Sequence, residues 1–127
     1  MKRIILDTNF LLIPVQFKVD IFEEIRRISD FRYQLCIIDK SIDELKKITL
    51  TGNTKDKAAA KLALKLVELK KIKKIETKSH KQVDELILDS AKKDDFVATQ
   101  DKELKQKLKK RHIPIVILRQ RKFLEIA

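Results

Sequence analysis

Ile4-Ile5-Leu6-Asp7-Thr8-Asn9 opens the chain with three bulky apolar residues that stop abruptly at an acid. A short uninterrupted apolar run of this kind reads as a strand buried on both faces, not as one side of a solvated sheet. The pattern recurs at 35–38, at Phe96-Val97-Ala98-Thr99, and at Ile115-Val116-Ile117-Leu118, where Pro114 stands at the strand start and no ladder donor is lost. Segments of helical period lie between these runs. Residues 19–28 carry apolar side chains at 21, 22, 25 and 28, and 41–50 form a shorter helix. Asn53 can cap a long helix to about residue 69, with alanines at 58, 59, 60 and 63. Residues 82–92 are amphipathic, and 102–110 place Leu104 and Leu108 on one face. A short strand at 75–77 would complete the alternation. Strands separated by helices predict an α/β protein with three layers, α/β/α, around a mainly parallel sheet, because a parallel connection requires a crossover. No Gly-, Ser- or Pro-rich linker interrupts the pattern, so residues 1–127 are expected to form a single domain.

Composition narrows the partners. Thirty Lys plus Arg against nineteen Asp plus Glu give a net charge of +11 in 127 residues, and the pI is near 9.8. That balance favours a polyanionic partner. Residues 1–64 hold twelve basic and nine acidic side chains, whereas 65–127 hold eighteen and ten. The second half is therefore the expected phosphate surface, with Lys102, Lys105, Lys109, Lys110, Arg111, Arg119 and Arg121 as its candidate phosphate-binding residues. The alternative is a solvated surface of the lysine-rich kind found in thermophiles. Aromatic residues make up 6% of the chain, with no Trp, so base stacking on exposed rings is not the expected mode of recognition.

Several classes of chemistry are excluded. Cys36 is the only cysteine, which forbids an internal disulfide or a cysteine zinc site, and its apolar neighbours mark it as a small buried hydrophobe. Gly52 is the only glycine, so neither a P-loop nor a GxGxxG turn can be written. No apolar run reaches the ~18 to 20 residues that span a bilayer, and Asp7 cuts short any signal-peptide core. The expectation is a cytoplasmic protein with no membrane partner.

Four acids then stand out. Ligands of open parallel sheets bind outside the carboxyl ends of the strands. Asp7 directly follows the first strand and Asp101 follows the fourth, although each could instead cap the turn or helix that comes next. Asp84 lies inside the apolar arc formed by Val83, Leu86, Ile87 and Ala91, while Glu85 and Asp89 fall on the opposite side. A carboxylate so placed needs a cation, hydrogen-bond donors or water, and a lysine salt bridge is the simpler account. Glu44 borders the inward face of Ile42, Leu45 and Ile48; alternatively, Ser41-Ile42-Asp43-Glu44 is a capping box in which Glu44 reaches back to the Ser41 N–H. Four converging carboxylates repel unless protons or a divalent ion neutralise them, and oxygen ligands favour Mg²⁺ or Mn²⁺ over zinc. His80 and His112 lie in lysine-rich surface stretches and are not expected to be ligands.

These residues resemble a known family. Leu6-Asp7-Thr8-Asn9, Ile42-Asp43-Glu44-Leu45, Asp84 followed by Ile87 and Ala91, and Val97-Ala98-Thr99-Gln100-Asp101-Lys102-Glu103-Leu104 together look like a PIN-domain nuclease over nearly the whole chain. Phe10, the block from Ala98 to Lys105, and Ile113-Pro114-Ile115-Val116-Ile117-Leu118-Arg119 look closer to the archaeal and eukaryotic ribosomal-RNA-processing branch than to VapC-type toxins; Gln100 stands where that branch commonly has Asn. The resemblance implies a parallel sheet of about five strands and a metal-dependent endoribonuclease leaving a 5′-phosphate. Its catalytic acids map to Asp7, Glu44, Asp84 and Asp101, with Asp7, Asp84 and Asp101 as ligands of Mg²⁺ or Mn²⁺ and Glu44 acting through water or orienting the nucleophile. Thr8, Asn9 and Thr99 are the implied polar helpers, and Glu103 a water-mediated participant.

Three roles follow from this reading. The first is an endoribonuclease of rRNA or other RNA processing. The second is a toxin ribonuclease paired with an antitoxin, and the third a catalytically silent RNA-binding scaffold in ribosome assembly, to which clustered carboxylates would bring nothing. The partners implied are RNA, a second copy of the chain, and a protein of RNA processing or an antitoxin. A response-regulator receiver would need paired acids after the first strand and a lysine after the last; the chain has Asp7 alone and then Arg119.

Overall fold

A computed structural model describes residues 1–127. The chain runs β1 (Lys2–Leu6), a 3₁₀ turn (Thr8–Leu12) leading into α1 (Ile13–Gln16), α2 (Ile21–Ile28), β2 (Tyr33–Ile38), α3 (Asp39–Thr51), α4 (Thr54–Leu69) and β3 (Lys73–Ile75). It continues through α5 (Val83–Ser90), β4 (Phe96–Ala98), α6 (Lys102–Lys110), β5 (Ile115–Arg119) and β6 (Phe123–Ile126). The sheet order is β3-β2-β1-β4-β5-β6, with every pairing parallel except the last. From β1 the chain winds outward through β2 and β3, then restarts on the other side at β4. The switch point therefore lies between β1 and β4, where open sheets place their ligands.

Side-chain alternation along the strands divides the core in two. Ile4 and Leu6 share one face with Ile37, Ala98, Val116 and Leu118, covered by residues of α1 to α4 that include Ile13, Ile25, Leu45 and the buried trio Ala59, Ala60 and Ala63. Ile5 points the other way with Cys36, Ile38, Val97, Ile115 and Ile117, beneath Leu86 and Ile87 of α5 and Leu104 and Leu108 of α6. Cys36 is fully buried and free, and burial pushes its thiol up, so it packs as a small hydrophobe. Asn53 caps α4 as expected, its side-chain oxygen accepting the Asp56 N–H at 2.8 Å. Gly52 ends α3; a Cβ there would stand 2.8 Å from the Ile48 carbonyl oxygen.

Four features differ from the sequence reading. The third strand is Lys73–Ile75, not 75–77, so Thr77 lies beyond it. Residues 8–16 form the 3₁₀ turn and α1, which bury Phe10 and Leu11. The helix expected from Ser41 begins at Asp39, and Ser41 is inside it and fully buried. Finally, a sixth, antiparallel strand closes the sheet. Its turn is held by the Lys122 N–H bonded to the Arg119 carbonyl at 2.9 Å, with φ of 52° at Gln120 and 56° at Arg121. Three residues lie between the paired Arg119 and Phe123, and two of them hold positive φ, a conformation normally met by Asn or Gly, so nothing in Gln-Arg announced it. Helix α2 secures the outer side of β6: Glu24 accepts the Leu124 N–H at 3.0 Å and Arg27 donates to the Leu124 carbonyl at 2.8 Å.

Candidate active site

The carboxyl ends of β1 and β4 bring Asp7 and Thr99 together. The Asp7 N–H bonds to the Ala98 carbonyl at 2.9 Å, which sets the chain leaving β1 against the end of β4. Asp7 caps the 3₁₀ turn, as the local reading allowed: Oδ1 accepts the Thr8 N–H at 2.9 Å. Its other oxygen, Oδ2, accepts the Thr99 hydroxyl at 2.8 Å. Having given its only hydrogen to Asp7, Thr99 Oγ1 accepts the Asp101 N–H at 3.0 Å. One buried threonine thus fixes the spacing between the acid after β1 and the acid after β4.

Glu44 is held from the same turn. Thr8 Oγ1 lies 2.6 Å from Glu44 Oε1 and 2.8 Å from Ser41 Oγ. A hydroxyl has one proton and a carboxylate can only accept, so Thr8 donates to Glu44 and Ser41 donates to Thr8. This arrangement removes the capping-box alternative, since Ser41 is a buried residue of α3 and Ile38 is the N-cap. Asp101 caps α6, its Oδ1 accepting the Leu104 N–H at 2.7 Å, and the residue also lines the cleft. Asp84 is half-buried in the first turn of α5 and makes no ion pair, so the lysine-bridge alternative is not realised.

Together Asp7, Thr8, Asn9, Glu44, Gln82, Val83, Asp84 and Asp101 line one cleft of about 140 Å³. All four acids singled out from the sequence meet there without a lysine or arginine among them. Burial pushes the Asp7 carboxyl above the ordinary range; the bonds from Thr99 and Thr8 pull it back, and the neighbouring charges of Asp101 and Glu44 push it up again. The donor set, carboxylates with the amides of Asn9 and Gln82 and no thiol or imidazole, suits a hard, oxygen-seeking divalent ion. No three acids are drawn into a finished coordination sphere, consistent with Thr8 holding Glu44 and Leu104 holding one oxygen of Asp101.

Other expected participants lie elsewhere. Glu103 does not line the cleft; its side chain is 76% exposed and pairs with Lys107 at 3.3 Å. The expected RNA-binding residues are dispersed. Lys102 begins α6 beside the cleft, but Lys109 and Lys110 end it, about 12 Å further along the axis. Arg111 is a structural cap that donates to the Leu88 and Ala91 carbonyls at the end of α5. Arg119 pairs with Glu125 across the hairpin, and Arg121 stands 5.8 Å from the Phe17 ring centre. The periodicity that places a residue on a helix cannot say which end of that helix meets the site.

Two more residues act in positioning, Asp39 without any signal in the sequence and Gln100 at the departure from the common Asn. Asp39, in the first turn of α3, accepts the Thr77 N–H at 3.0 Å and the Thr77 hydroxyl at 2.6 Å. Burial raises its carboxyl, but these bonds and Lys40 outweigh it and hold the group below its ordinary value. Gln100 spans to β5, accepting the Leu118 N–H at 2.7 Å and steadying the segment between Thr99 and Asp101. A long side chain in the place where Asn is common reaches the neighbouring strand directly.

A family model described as a PIN-like domain matches residues 4–121. The chain is 34% identical over 128 residues to Ribonuclease VapC4 of Methanocaldococcus jannaschii, covering 99% of this chain and 97% of that protein. It is also 34% identical over 120 residues to Ribonuclease VapC9 of Archaeoglobus fulgidus, covering 93% and 84% respectively. Among solved structures, the PIN domain endonuclease Utp24 superposes with a TM-score of 0.77 at 25% identity, covering 98% of this chain and 90% of that one. A mostly parallel sheet with acids gathered at its switch point, and a family match spanning almost the entire sequence, lead to one statement: the chain belongs to the PIN-like domain family.

Proposed function

We propose that this protein is a metal-dependent endoribonuclease that uses Asp7, Glu44, Asp84 and Asp101 to hydrolyse RNA phosphodiester bonds. The observation that carries the reading is a cleft lined by four carboxylates and no cation in a chain of net charge +11. Such a site repels phosphate unless a divalent ion is bound, and the names of both curated relatives and of the Utp24 endonuclease agree with nuclease chemistry. Asp7, Asp84 and Asp101 would hold Mg²⁺ or Mn²⁺, which supplies charge neutralisation at the scissile phosphate and activation of water when bound.

The chain's own residues do the rest. Thr8 N–H and the Thr99 hydroxyl orient both oxygens of Asp7 before any ligand arrives. Glu44, oriented by the Thr8 hydroxyl, is placed to accept a proton from an attacking water. Asp84, without a protein partner, is the carboxylate free to move toward a ligand. Asn9 adds a neutral polar group at the rim.

The test is cleavage of a structured RNA with Mg²⁺ or Mn²⁺ and with chelator, comparing wild type with Asp7→Asn and Asp84→Asn. Loss of cleavage in the chelator and in both variants, with RNA binding retained, is the expected result. Equal cleavage by all three proteins would defeat the proposal.

The motif details at Phe10, Ala98 to Lys105 and Ile113 to Arg119 favour RNA processing as the biological setting. A second reading, a toxin ribonuclease restrained by an antitoxin, is favoured by the VapC names of the curated relatives. Expression of the protein alone separates them: Asp7-dependent growth arrest, relieved by one co-expressed partner, supports the toxin.

A further inference from the structure

The cleft of about 140 Å³ is smaller than the ~300 to 1,000 Å³ that houses a whole small ligand. It has room for a phosphate, but the nucleotides on either side must lie outside it. A second groove of about 390 Å³ continues from it, sharing Glu44, Gln82 and Val83. Three basic side chains line that groove, Lys40 from α3 and His80 and Lys81 from the loop before α5, with Asp43 as the only further acid. These differ from the cations expected on α6, most of which are spent on caps and pairs or lie at its far end.

We propose that this groove seats the phosphodiester next to the one being cut, held by Lys40, His80 and Lys81. The inference rests on the endoribonuclease reading and assigns one side of the cleft as the path of the RNA strand. Three observations support it. The loop carrying His80 and Lys81 is held in place, because Thr77 is tied to Asp39 by the two hydrogen bonds described above. The imidazole of His80 makes no hydrogen bond or ion pair with the protein, although it lines the groove. Lys81 is engaged only by Asp89, at 2.8 Å with both side chains about half exposed, and Lys40 only loosely by Asp39 at 3.9 Å. Exposed pairs of this kind are weak enough for a phosphate to displace. Asp39 is then a positioning residue, setting the distance between the cationic loop and the acids.

The experiment uses a short single-stranded RNA whose cleavage position has been mapped with the wild type. Binding is measured in an Asp7→Asn background, with and without His80→Ala and Lys81→Ala together. The expected result is about a tenfold loss of affinity and a salt dependence shallower by about 0.7, the value for one lost cationic contact, that of Lys81, on a single strand. In the otherwise wild-type protein the same pair should raise KM and leave kcat nearly unchanged. A neutral methylphosphonate placed at the linkage beside the cut should weaken binding to the parent clearly more than binding to the double variant, which keeps only Lys40 of the three. Unchanged affinity and salt slope would overturn the groove assignment while Asp7-dependent cleavage still stood. Absence of Asp7-dependent cleavage would instead remove the nuclease reading, and the binding measurements would still judge the groove. Both side chains are exposed, so thermal unfolding of the double variant should match the parent.

Discussion

Asp7 and Asp95 are the two buried aspartates of this chain, 8% and 5% exposed, and they sit at opposite ends of the same sheet. Asp95 precedes β4 at the amino end. There Arg3 binds it with two nitrogens at 2.6 and 3.1 Å and also reaches the Ser90 carbonyl at 2.9 Å, while the Lys92 N–H completes the site at 2.8 Å. Its charge is answered within the fold. Asp7, at the carboxyl end, receives two neutral donors and faces two further acids. One aspartate completes a structural joint; the other is held in a demanding environment that a proton or a bound cation relieves. Burial alone does not separate the two roles. The sign of the neighbouring charges does.

The largest expected effect tests Asp7. Replacing it with Asn should reduce RNA cleavage by about 10² to 10³-fold, the cost of losing several kcal/mol of metal-assisted stabilisation in the transition state. Single-turnover kinetics at saturating protein would check this. Asp95→Ala should do the reverse, costing about 2 to 3 kcal/mol of stability because it strands Arg3, whose side chain is 29% exposed and so partly relieved by water. Denaturant unfolding measures that loss, and the folded fraction should cleave RNA at the wild-type rate. Comparable damage to both properties from either substitution would erase the distinction.

A subtler contrast concerns pH. The Asp7 carboxyl is raised in the folded protein, so folding favours its protonated form. Its favourable contribution is complete below the ordinary Asp value of about 3.9 and is lost as pH rises through the higher folded value. Asp7→Asn should therefore unfold at a higher temperature than wild type at neutral pH, with the advantage shrinking as the medium is acidified. Mg²⁺ should narrow the gap by stabilising wild type alone. A lower melting point for the variant at neutral pH would show that Asp7 is structurally satisfied after all.

The smallest effect is expected at the hairpin. Gln120→Asn with Arg121→Gly should raise stability by about 0.5 to 1 kcal/mol by relieving two left-handed backbone positions, offset in part by the added freedom of glycine in the unfolded chain. Calorimetry would register a shift of a few degrees, and RNA cleavage should be unchanged. A change in cleavage would tie the hairpin to the site and blur the line between the two kinds of residue.

How much of this was legible beforehand depended on what each residue answers to. The alternation of buried strands and amphipathic helices was plain, because Ile4, Ile5 and Leu6 are apolar for reasons of solvation that act locally. The four acids were readable because topology sends strand ends to one edge, and helix phase turned Asp84 toward it. Long-range polar bonds were not. Asp39 was overlooked because its partner, Thr77, is 38 residues away and the helix start was placed two residues late. The hairpin escaped because tertiary bonds from Glu24 and Arg27, not turn propensity, secure β6. The position of the expected basic residues relative to the cleft was not legible for a related reason: charge can be counted along a sequence, but distance from the cleft cannot.

The two edges of the sheet bear on how such a cationic chain keeps its copies apart. β3 is only three residues long and presents two exposed lysines, and the outward groups of Leu124 in β6 are already occupied by Glu24 and Arg27. Shortness and lysines at β3, and the engaged groups of Leu124 at β6, work against another molecule extending the sheet. The end of the sheet that carries the acids is thus the one left uncovered, since neither edge strand nor its flanking helix crosses it.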